Sequence, residues 1–306
     1  ATMECNGTCG NISAYAVYDG SFGDGSEGSL TITTANSIVN NYTSLTSSAT
    51  SGTTLINVSD SSEFNIGDEV LIIQMQNGSG SGDAGTYEFV SIESTGSGII
   101  TLNTPLINSY GSGTFNTQSA SVTQIVRIPN YNDLTVNVGA SIIPQSWNGS
   151  QGGIVAFRVL GDLTTDGYVN ASKRGFRGGD CNGCGNSAWG DQGEGYPGLG
   201  GTTTLLRNGN GGGGGFGPSG VNGEPGGGGG YATAGGIGDS TNDAEGGLAV
   251  GDANLTKILL GGGGGGGGDN DNLAPFPEYA NGSGSIIIFA KNVSAGRVEA
   301  KGDTAI

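Results

Sequence analysis

The sequence contains no histidine, so the commonest general base and metal ligand of proteins is missing. Ser/His/Asp and Cys/His catalytic machinery is therefore excluded. Only 12% of the residues are charged, with 10 Lys or Arg against 27 Asp or Glu and a net charge of −17. Nucleic acids and anionic membranes are bound through basic faces, so we expect neither as a partner. No apolar run approaches the roughly 20 residues that span a bilayer, so we expect no membrane insertion.

Cysteine is scarce as well, with four residues in two close pairs. The pairs "CNGTCG" and "CNGCG" predict two local disulfides, each closing a small loop, in an oxidising compartment. A four-thiolate zinc site and disulfides between the two pairs are the alternatives. The cysteines concerned are Cys5, Cys9, Cys181 and Cys184.

Glycine, by contrast, is abundant: the chain has 65 glycines, without the triplet period of collagen. They form tracts of five, five and eight in "GNGGGGGFG", "GEPGGGGGYATAGG" and "KILLGGGGGGGGDNDN". A flexible linker is one interpretation of such tracts. However, these tracts recur within one region and adjoin apolar and aromatic residues. We therefore predict an ordered bundle of extended helices with three residues per turn, held together by backbone hydrogen bonds.

The rest of the chain has strand character. "DEVLIIQMQ", "TYEFVSIES", "GIITLNTPL" and "GGIVAFRVLGDL" follow one another at short intervals, separated by Gly, Ser, Asn and Pro. The pattern predicts an all-β fold, a β-sandwich or β-solenoid-like core with a polyglycine-helix layer. We divide the chain into an N-terminal Ser/Thr/Asn-rich segment (1–62), a β-rich core (63–174), a glycine-rich region with surface loops (175–272) and C-terminal strands that return to the core (273–306).

Carboxylates are the only candidate catalysts. Asp191 and Glu194 lie beside Trp189 and Tyr196 in "WGDQGEGYPG", a composition also found in sugar sites with paired acids. Two acids three residues apart in a glycine-rich loop are an unspecific signal, and we do not expect an enzyme. Trp147 is a further aromatic candidate for stacking on sugars, although a position at the edge of the core is commoner for such a residue.

Two acidic turns are candidate calcium sites, although plain Asp–Gly turns explain them as well. No other cofactor is expected. The acids concerned are Asp19, Asp24, Glu27, Asp269 and Asp271. The aromatic candidates for contact with a glycan or partner are Trp189, Tyr196, Phe216 and Tyr231.

Ten Asn-x-Ser/Thr sequons are candidate glycosylation sites. An Asn/Ser/Thr-rich β surface produces the same pattern, and we favour that interpretation. The sequons begin at Asn6, Asn11, Asn41, Asn57, Asn77, Asn148, Asn170, Asn254, Asn281 and Asn292.

Several motifs together resemble the glycine-rich N-terminal region of large secreted surface proteins of gliding and related Gram-negative bacteria, described as adventurous-gliding-like or adhesin-like. The motifs include "FNIGDEVLIIQMQ", "VRIPNYNDLTV", "SWNGSQGGIVAFRVLGDLTTDG" and "LLGGGGGGGG", and the resemblance covers residues 53–290. It implies an exported β-rich protein with structural or adhesive roles and supplies no catalytic residues. The glycine tracts are also similar in composition to those of phage tail-fibre tip adhesins.

These features lead us to expect an extracellular or cell-surface protein, with Ala1 as the N-terminus after removal of a signal peptide. The first functional hypothesis is a structural subunit of a bacterial appendage or filament, a homopolymer in which strands such as residues 29–43 complete a neighbour's sheet. The second is an adhesin that binds surface glycans or a receptor through the loops between the glycine tracts (180–208, 216–225, 231–256 and 269–280). A polysaccharide-active enzyme is a distant third.

Overall fold

The structure, a computed structural model, describes residues 14–15, 22–78, 83–180, 189–217, 224–238, 244–268 and 280–303. Within these ranges the chain forms β-strands and no helix, so the predicted all-β fold is confirmed. The strands are β1 (Ala14–Tyr15), β2 (Leu30–Ile32), β3 (Tyr42–Ser44), β4 (Leu55–Asn57), β5 (Glu69–Asn77), β6 (Tyr87–Gly96), β7 (Ile99–Leu102), β8 (Ser121–Ile128), β9 (Asn130–Tyr131), β10 (Leu134–Val136), β11 (Ser141–Ile142), β12 (Ile154–Asn170) and β13 (Ser285–Glu299).

These strands form two sheets. The first is parallel throughout, in the order β1-β13-β12-β10-β2, with β9 and β11 also pairing with β12. The second is antiparallel, in the order β3-β8-β5-β6-β7-β4. Parallel pairs need long connections, whereas antiparallel pairs can be joined by tight turns. The first sheet is accordingly solenoid-like, whereas the second contains the consecutive strands β5, β6 and β7 side by side. Both agree with the predicted sandwich or solenoid-like core.

Apolar side chains fill both faces of the two central strands. On β5, Leu71 and Ile73 enter a core cluster that contains residues of both sheets, whereas Val70 and Ile72 enter a separate cluster within the antiparallel half. Because both faces are covered, β5 appears in the sequence as a continuous apolar run instead of an alternating pattern. The same division holds on β12, where alternate residues face the shared cluster and the interior of the parallel half.

A buried ion pair also joins the two sheets. The Arg158 side chain on β12 is 2% exposed, and its Nε lies 2.6 Å from Oε2 of Glu69 on β5. The guanidinium lies 4.1 Å from the ring centroid of Phe289 on β13. The charge is therefore neutralised by a carboxylate and stabilised by an aromatic face, as a buried charge requires.

The segment that we predicted to act as a strand donor, residues 29–43, lies within the chain's own sheets. Its strands β2 and β3 pair with β10 and β8. Both strands lie at the ends of their sheets, and the addition of this segment to a neighbour's sheet stays a prediction. The division of the chain into four segments stays a prediction.

Candidate functional site

The longest glycine tract, residues 261–268, is bonded to its neighbours through its backbone. The N–H groups of Gly262, Gly265 and Gly268 donate to the carbonyl oxygens of Gly230, Gly227 and Glu224, with N···O distances of 3.0, 2.8 and 2.8 Å. Donors three residues apart thus meet acceptors three residues apart on an antiparallel neighbour. This spacing is that of an extended helix with three residues per turn.

The intervening glycines donate to other segments. Gly263 and Gly266 bond to the carbonyls of Glu194 and Asp191. Gly261 and Gly264 bond to those of Ser283 and Ala280. The tract also accepts bonds from two further segments at the same interval, from Phe176 and Gly179, and from Gly212 and Gly215. We call this hydrogen-bonded set of segments the glycine lattice; its members are residues 176–180, 189–195, 211–216, 224–230, 261–268 and 280–283.

Close approach is what requires glycine in the lattice. A Cβ on Gly262 would overlap the carbonyl oxygen of Asn210, and a Cβ on Gly265 would overlap that of Gly213. The glycines of the three tracts do not have the left-handed φ values that favour glycine in turns. The missing side chain, not backbone freedom, therefore determines the residue type here. The tracts are ordered by these bonds, while their helix type stays a prediction.

The lattice has two distinct ends. Ile258 and Leu260, which precede the tract, are buried in the core cluster that both sheets share. We call this the proximal end. The residues bonded around Gly266–Gly268 form the distal end. The hydrogen-bond registers between the lattice segments place four residues at the distal end: Trp189, Asp191, Phe216 and Glu224.

Glu194 fastens the lattice to the β core. This buried carboxylate accepts hydrogen bonds from Trp147 Nε1 (2.9 Å) and Gln76 Nε2 (2.9 Å). It also forms an ion pair with Arg177, whose Nε lies 2.8 Å from Glu194 Oε2. Both oxygens of Glu194 are therefore engaged by side chains of the core and the lattice. The geometry gives Glu194 a structural role and separates it from Asp191, with which the sequence had paired it.

The distal end brings together aromatic rings and carboxylates. The rings of Trp189 and Phe216 pack edge to face, with centroids 4.7 Å apart, and both residues are partly exposed. Asp180 is adjacent, since the Asp191 N–H donates to its carbonyl oxygen at 2.6 Å. Glu224 lies beside Phe216, whose carbonyl oxygen accepts a bond from the Glu224 N–H. We call these five residues the distal face.

Asp191 is the unusual carboxylate of the distal face. Its Oδ1 is buried and has no hydrogen-bond partner among the described residues. Burial, together with the negative charge of Asp180, raises the pKa of Asp191 above its usual range. Of the distal face, Trp189, Asp191 and Phe216 were predicted from the sequence, whereas Asp180 and Glu224 were not. The available signal was that each of these acids immediately adjoins a glycine-rich segment.

The other two predicted contact aromatics lie elsewhere. Tyr196 packs against the shared core cluster, and the register of residues 224–230 places Tyr231 at the proximal end. Trp147 is buried, as the sequence favoured. The four contact aromatics therefore do not form one surface, and only Trp189 and Phe216 come together.

Of the calcium candidates, Asp24 and Glu27 are described, whereas Asp19, Asp269 and Asp271 lie outside the described residues. Asp24 Oδ1 accepts a bond from the Ser26 N–H, and Glu27 is ion-paired with Arg127 at 2.7 Å. Both line an open polar cavity of about 600 Å³. Across the described ranges no three acids group as metal ligands, and the calcium site stays a prediction.

The predicted disulfides and two of the sequons lie outside the described residues, at Cys5, Cys9, Cys181, Cys184, Asn6 and Asn11. The remaining sequon asparagines divide by exposure. Four of these asparagines are exposed: Asn57, Asn148, Asn254 and Asn292. The other four are partly buried: Asn41, Asn77, Asn170 and Asn281.

No helix in the described part of the chain is long and apolar enough to cross a bilayer. No protein-family model matches the sequence, and no curated protein matches it either. The predicted resemblance to surface proteins of gliding bacteria therefore stays a prediction.

Three solved tailspike structures show a partial likeness. The tailspike protein gp49 from Pseudomonas phage LKA1 is 14% identical with a TM-score of 0.23, over 47% of this chain and 28% of that one. The Pseudomonas phage phi297 tailspike gp61 is 14% identical with a TM-score of 0.25, over 45% and 22%. The Gp54 tailspike of Acinetobacter baumannii bacteriophage AP22, solved with a capsular saccharide, is 15% identical with a TM-score of 0.23, over 52% and 28%. The chain thus spans less than a third of each tailspike, and at these scores the likeness carries no functional inference.

Proposed function

We propose that this protein is a non-catalytic binding protein of the cell exterior that holds glycans at its distal face. The observation that carries the proposal is the pair of partly exposed rings, Trp189 and Phe216, at the same end of the lattice as three acidic residues. Aromatic rings pack against the apolar faces of sugars, and carboxylate oxygens accept hydrogen bonds from hydroxyl groups. Together these groups provide both kinds of contact that a polar, ring-shaped ligand needs.

The glycine lattice supports this function by fixing the distal face before a ligand arrives. Trp189, Phe216 and Glu224 each lie in a segment whose backbone is bonded to the central tract. A site that is already ordered loses less conformational entropy on binding than a site on free loops. This is the physical reason for presenting a binding surface on interlocked glycine segments.

Catalysis is not part of the proposal, because the two carboxylates that the sequence paired have different environments. Glycosidases need two acids that flank the bond to be cleaved. Glu194 is buried and bonded to Trp147, Gln76 and Arg177, so it has no free oxygen for a substrate. We accordingly expect bound glycans to be released unchanged.

The proposed location outside the cell is supported by the acidic, Asn/Ser/Thr-rich composition. Protection of the protein from protease in intact cells would contradict it. Removal by protease without cell lysis is the expected result.

Binding to a panel of immobilised bacterial glycans, followed by titration calorimetry on the best ligand, tests the proposal. Trp189→Ala and Phe216→Ala should each weaken binding at least about tenfold, a change of about 1.4 kcal/mol. Leu248→Ala is the matched control, because this apolar residue of the glycine-rich region is 40% exposed and lies beside Gly230 and Gly209, toward the proximal end of the lattice. Unchanged affinity in folded Trp189→Ala and Phe216→Ala, or binding to no glycan in the panel, would contradict the proposal.

A further inference from the structure

The parallel half of the protein is a stack of four extended segments that we call rungs. Rung 1 comprises residues 27–37, rung 2 residues 130–143, rung 3 residues 158–170 and rung 4 residues 288–299. Rungs 1 and 2 are joined by backbone hydrogen bonds along their whole length. The first runs from the Glu27 N–H to the Asn130 carbonyl, and the last runs from the Ile143 N–H to the Ser37 carbonyl. Rungs 2, 3 and 4 are joined through the strand pairs of β12.

The rungs are in register, so like residues stack on one another. One ladder runs from Leu30 through Leu134 and Leu163 to Val293. Leu134 and Leu163 are 0% and 1% exposed, whereas Val293 at the end of the ladder is 48% exposed. The interior members are covered by a rung on each side, and the terminal valine lacks that cover. The stack of described rungs therefore ends with one apolar side chain of the ladder uncovered, among polar and charged neighbours.

Among the described residues, most of the backbone edge at this end has no strand partner. On the outer side of β13, the described residues provide a partner only at Ile286 and Ile287, through β1. Residues 291–294, 296 and 297 are exposed. At the other end of the stack, no described strand pairs with the outer side of β2, and Thr31 is exposed. Unpaired strand edges of this kind are templates for strand addition.

The two ends carry opposite charges. Residues 22–40, around rung 1, contain Asp24 and Glu27 and no Lys or Arg, although Glu27 forms an ion pair with Arg127 of β8. Residues 288–301, around rung 4, contain Lys291, Arg297 and Lys301 and a single acid, Glu299, which forms ion pairs with Arg297 and Lys301. In a chain with a net charge of −17, this basic end attracts an acidic surface of a second copy, and two like ends repel each other.

From the open edges, the register and the charges, we propose that copies of this chain stack head to tail. Rung 1 of one copy adds in parallel to rung 4 of the preceding copy, and Leu30 of the added copy covers Val293. Because the two contacting surfaces differ, the contact is heterologous and propagates into filaments or closed rings. This inference is independent of the distal face, and it keeps residues 29–43 within their own sheet while using their outer edge.

Engineered disulfides test the register directly. Thr31 and Ser294 stand at the same level of the stack, since both align with Thr135 and Thr164. The double variant Thr31→Cys/Ser294→Cys should form covalent oligomers of three or more copies on oxidation, in amounts that rise with protein concentration. Thr33→Cys/Ser294→Cys, two residues out of register on the same face, and the single variants should form few. Equal cross-linking in the two double variants, or none in the first, would overturn the proposal.

Sedimentation of the unmodified protein gives the second readout. Val293→Lys should raise the protein concentration at which oligomers form at least tenfold. Val138→Lys, at a position that is 82% exposed and away from both edges, should leave that concentration unchanged. Lys291→Glu should act in the same direction without touching the apolar contact. Basic residues on an edge strand can also serve to repel other strands. Wild-type protein that remains monomeric at millimolar concentration would show that role and overturn the proposal.

Discussion

The β core and the glycine lattice both satisfy buried backbone polar groups, but they differ in what fills the space between their segments. Both must bury backbone polar groups without leaving them unpaired, because an unpaired buried N–H or C=O is costly. The β core pairs its strands and fills the space between its sheets with apolar side chains. The lattice has no such side chains along its tracts, and its segments approach so closely that their carbonyl oxygens occupy the space of a Cβ.

The difference shows which kind of substitution each region resists. The β core is stabilised by the apolar area that its side chains remove from water, so it is sensitive to the removal of atoms. The lattice is stabilised by backbone hydrogen bonds between segments, so it is sensitive to the addition of atoms. A mutational scan of the two regions should therefore give opposite profiles.

Removal of a core side chain should have the largest effect. Leu102→Ala empties a position that is 0% exposed, and we expect a loss of about 2–5 kcal/mol in the free energy of unfolding. Leu206→Ala, the same change at a position 62% exposed in the glycine-rich region, should cost less than about 0.5 kcal/mol. Urea denaturation measures both values. Equal losses of unfolding free energy at the two positions would contradict the claim that buried apolar side chains stabilise the β core.

Addition of one methyl group to the lattice should have the next largest effect. Gly265→Ala places a Cβ against the Gly213 carbonyl, and overpacking of this kind costs about 1–3 kcal/mol or more. Gly236→Ala is the control, because a Cβ there meets no atom within 4 Å and the residue has no left-handed φ. Its effect should be small or stabilising. If the two alanine variants unfold at the same urea concentration, the lattice is not closely packed.

The smallest effect should come from the charge on Asp191. Because the pKa of Asp191 is raised in the folded state, its ionisation opposes folding above the unfolded pKa of about 3.9. Asp191→Asn should therefore be more stable than wild type at pH 7, and the difference should vanish as the pH falls below about 4.

Asp252→Asn is the control of opposite sign. Hydrogen bonds from Thr256 and Asn254 lower the pKa of Asp252, so its carboxylate favours folding at neutral pH and this variant should be less stable than wild type there. Thermal unfolding between pH 3 and pH 7 distinguishes the two. A stability difference for Asp191→Asn that does not change with pH would refute the environment assigned to that carboxylate.

Local sequence patterns predicted the strands but not their partners. The runs "DEVLIIQMQ" and "GGIVAFRVLGDL" coincide with β5 and β12, because an apolar strand buried on both faces is visible in a short window. The parallel register that aligns Leu30, Leu134, Leu163 and Val293 joins residues far apart in the chain. No local signal specifies such pairing, so the stack of rungs emerged only from the structure.

The residues of the candidate site were likewise predictable by type, but their contacts were not. Trp189 and Phe216 were recognised as candidates by residue type, while their contact at the distal end depends on the registers of two different segments. Glu194 was grouped with Asp191 because they are close in sequence. Its partners Trp147 and Gln76 are 47 and 118 residues away, which no spacing rule reveals.

Hydrogen exchange of the backbone amides in the central tract tests the account most directly. The amides of Gly262–Gly266 donate to carbonyls of neighbouring segments, so they should exchange as slowly as amides of β5 and β12. The amide of Gly236, which donates no backbone hydrogen bond to a described residue, provides a fast-exchanging reference within the same region. Protection of Gly262–Gly266 at the level of the β strands is the predicted result. Exchange of these amides at the rate of a free peptide would contradict the lattice and the support it gives to the distal face.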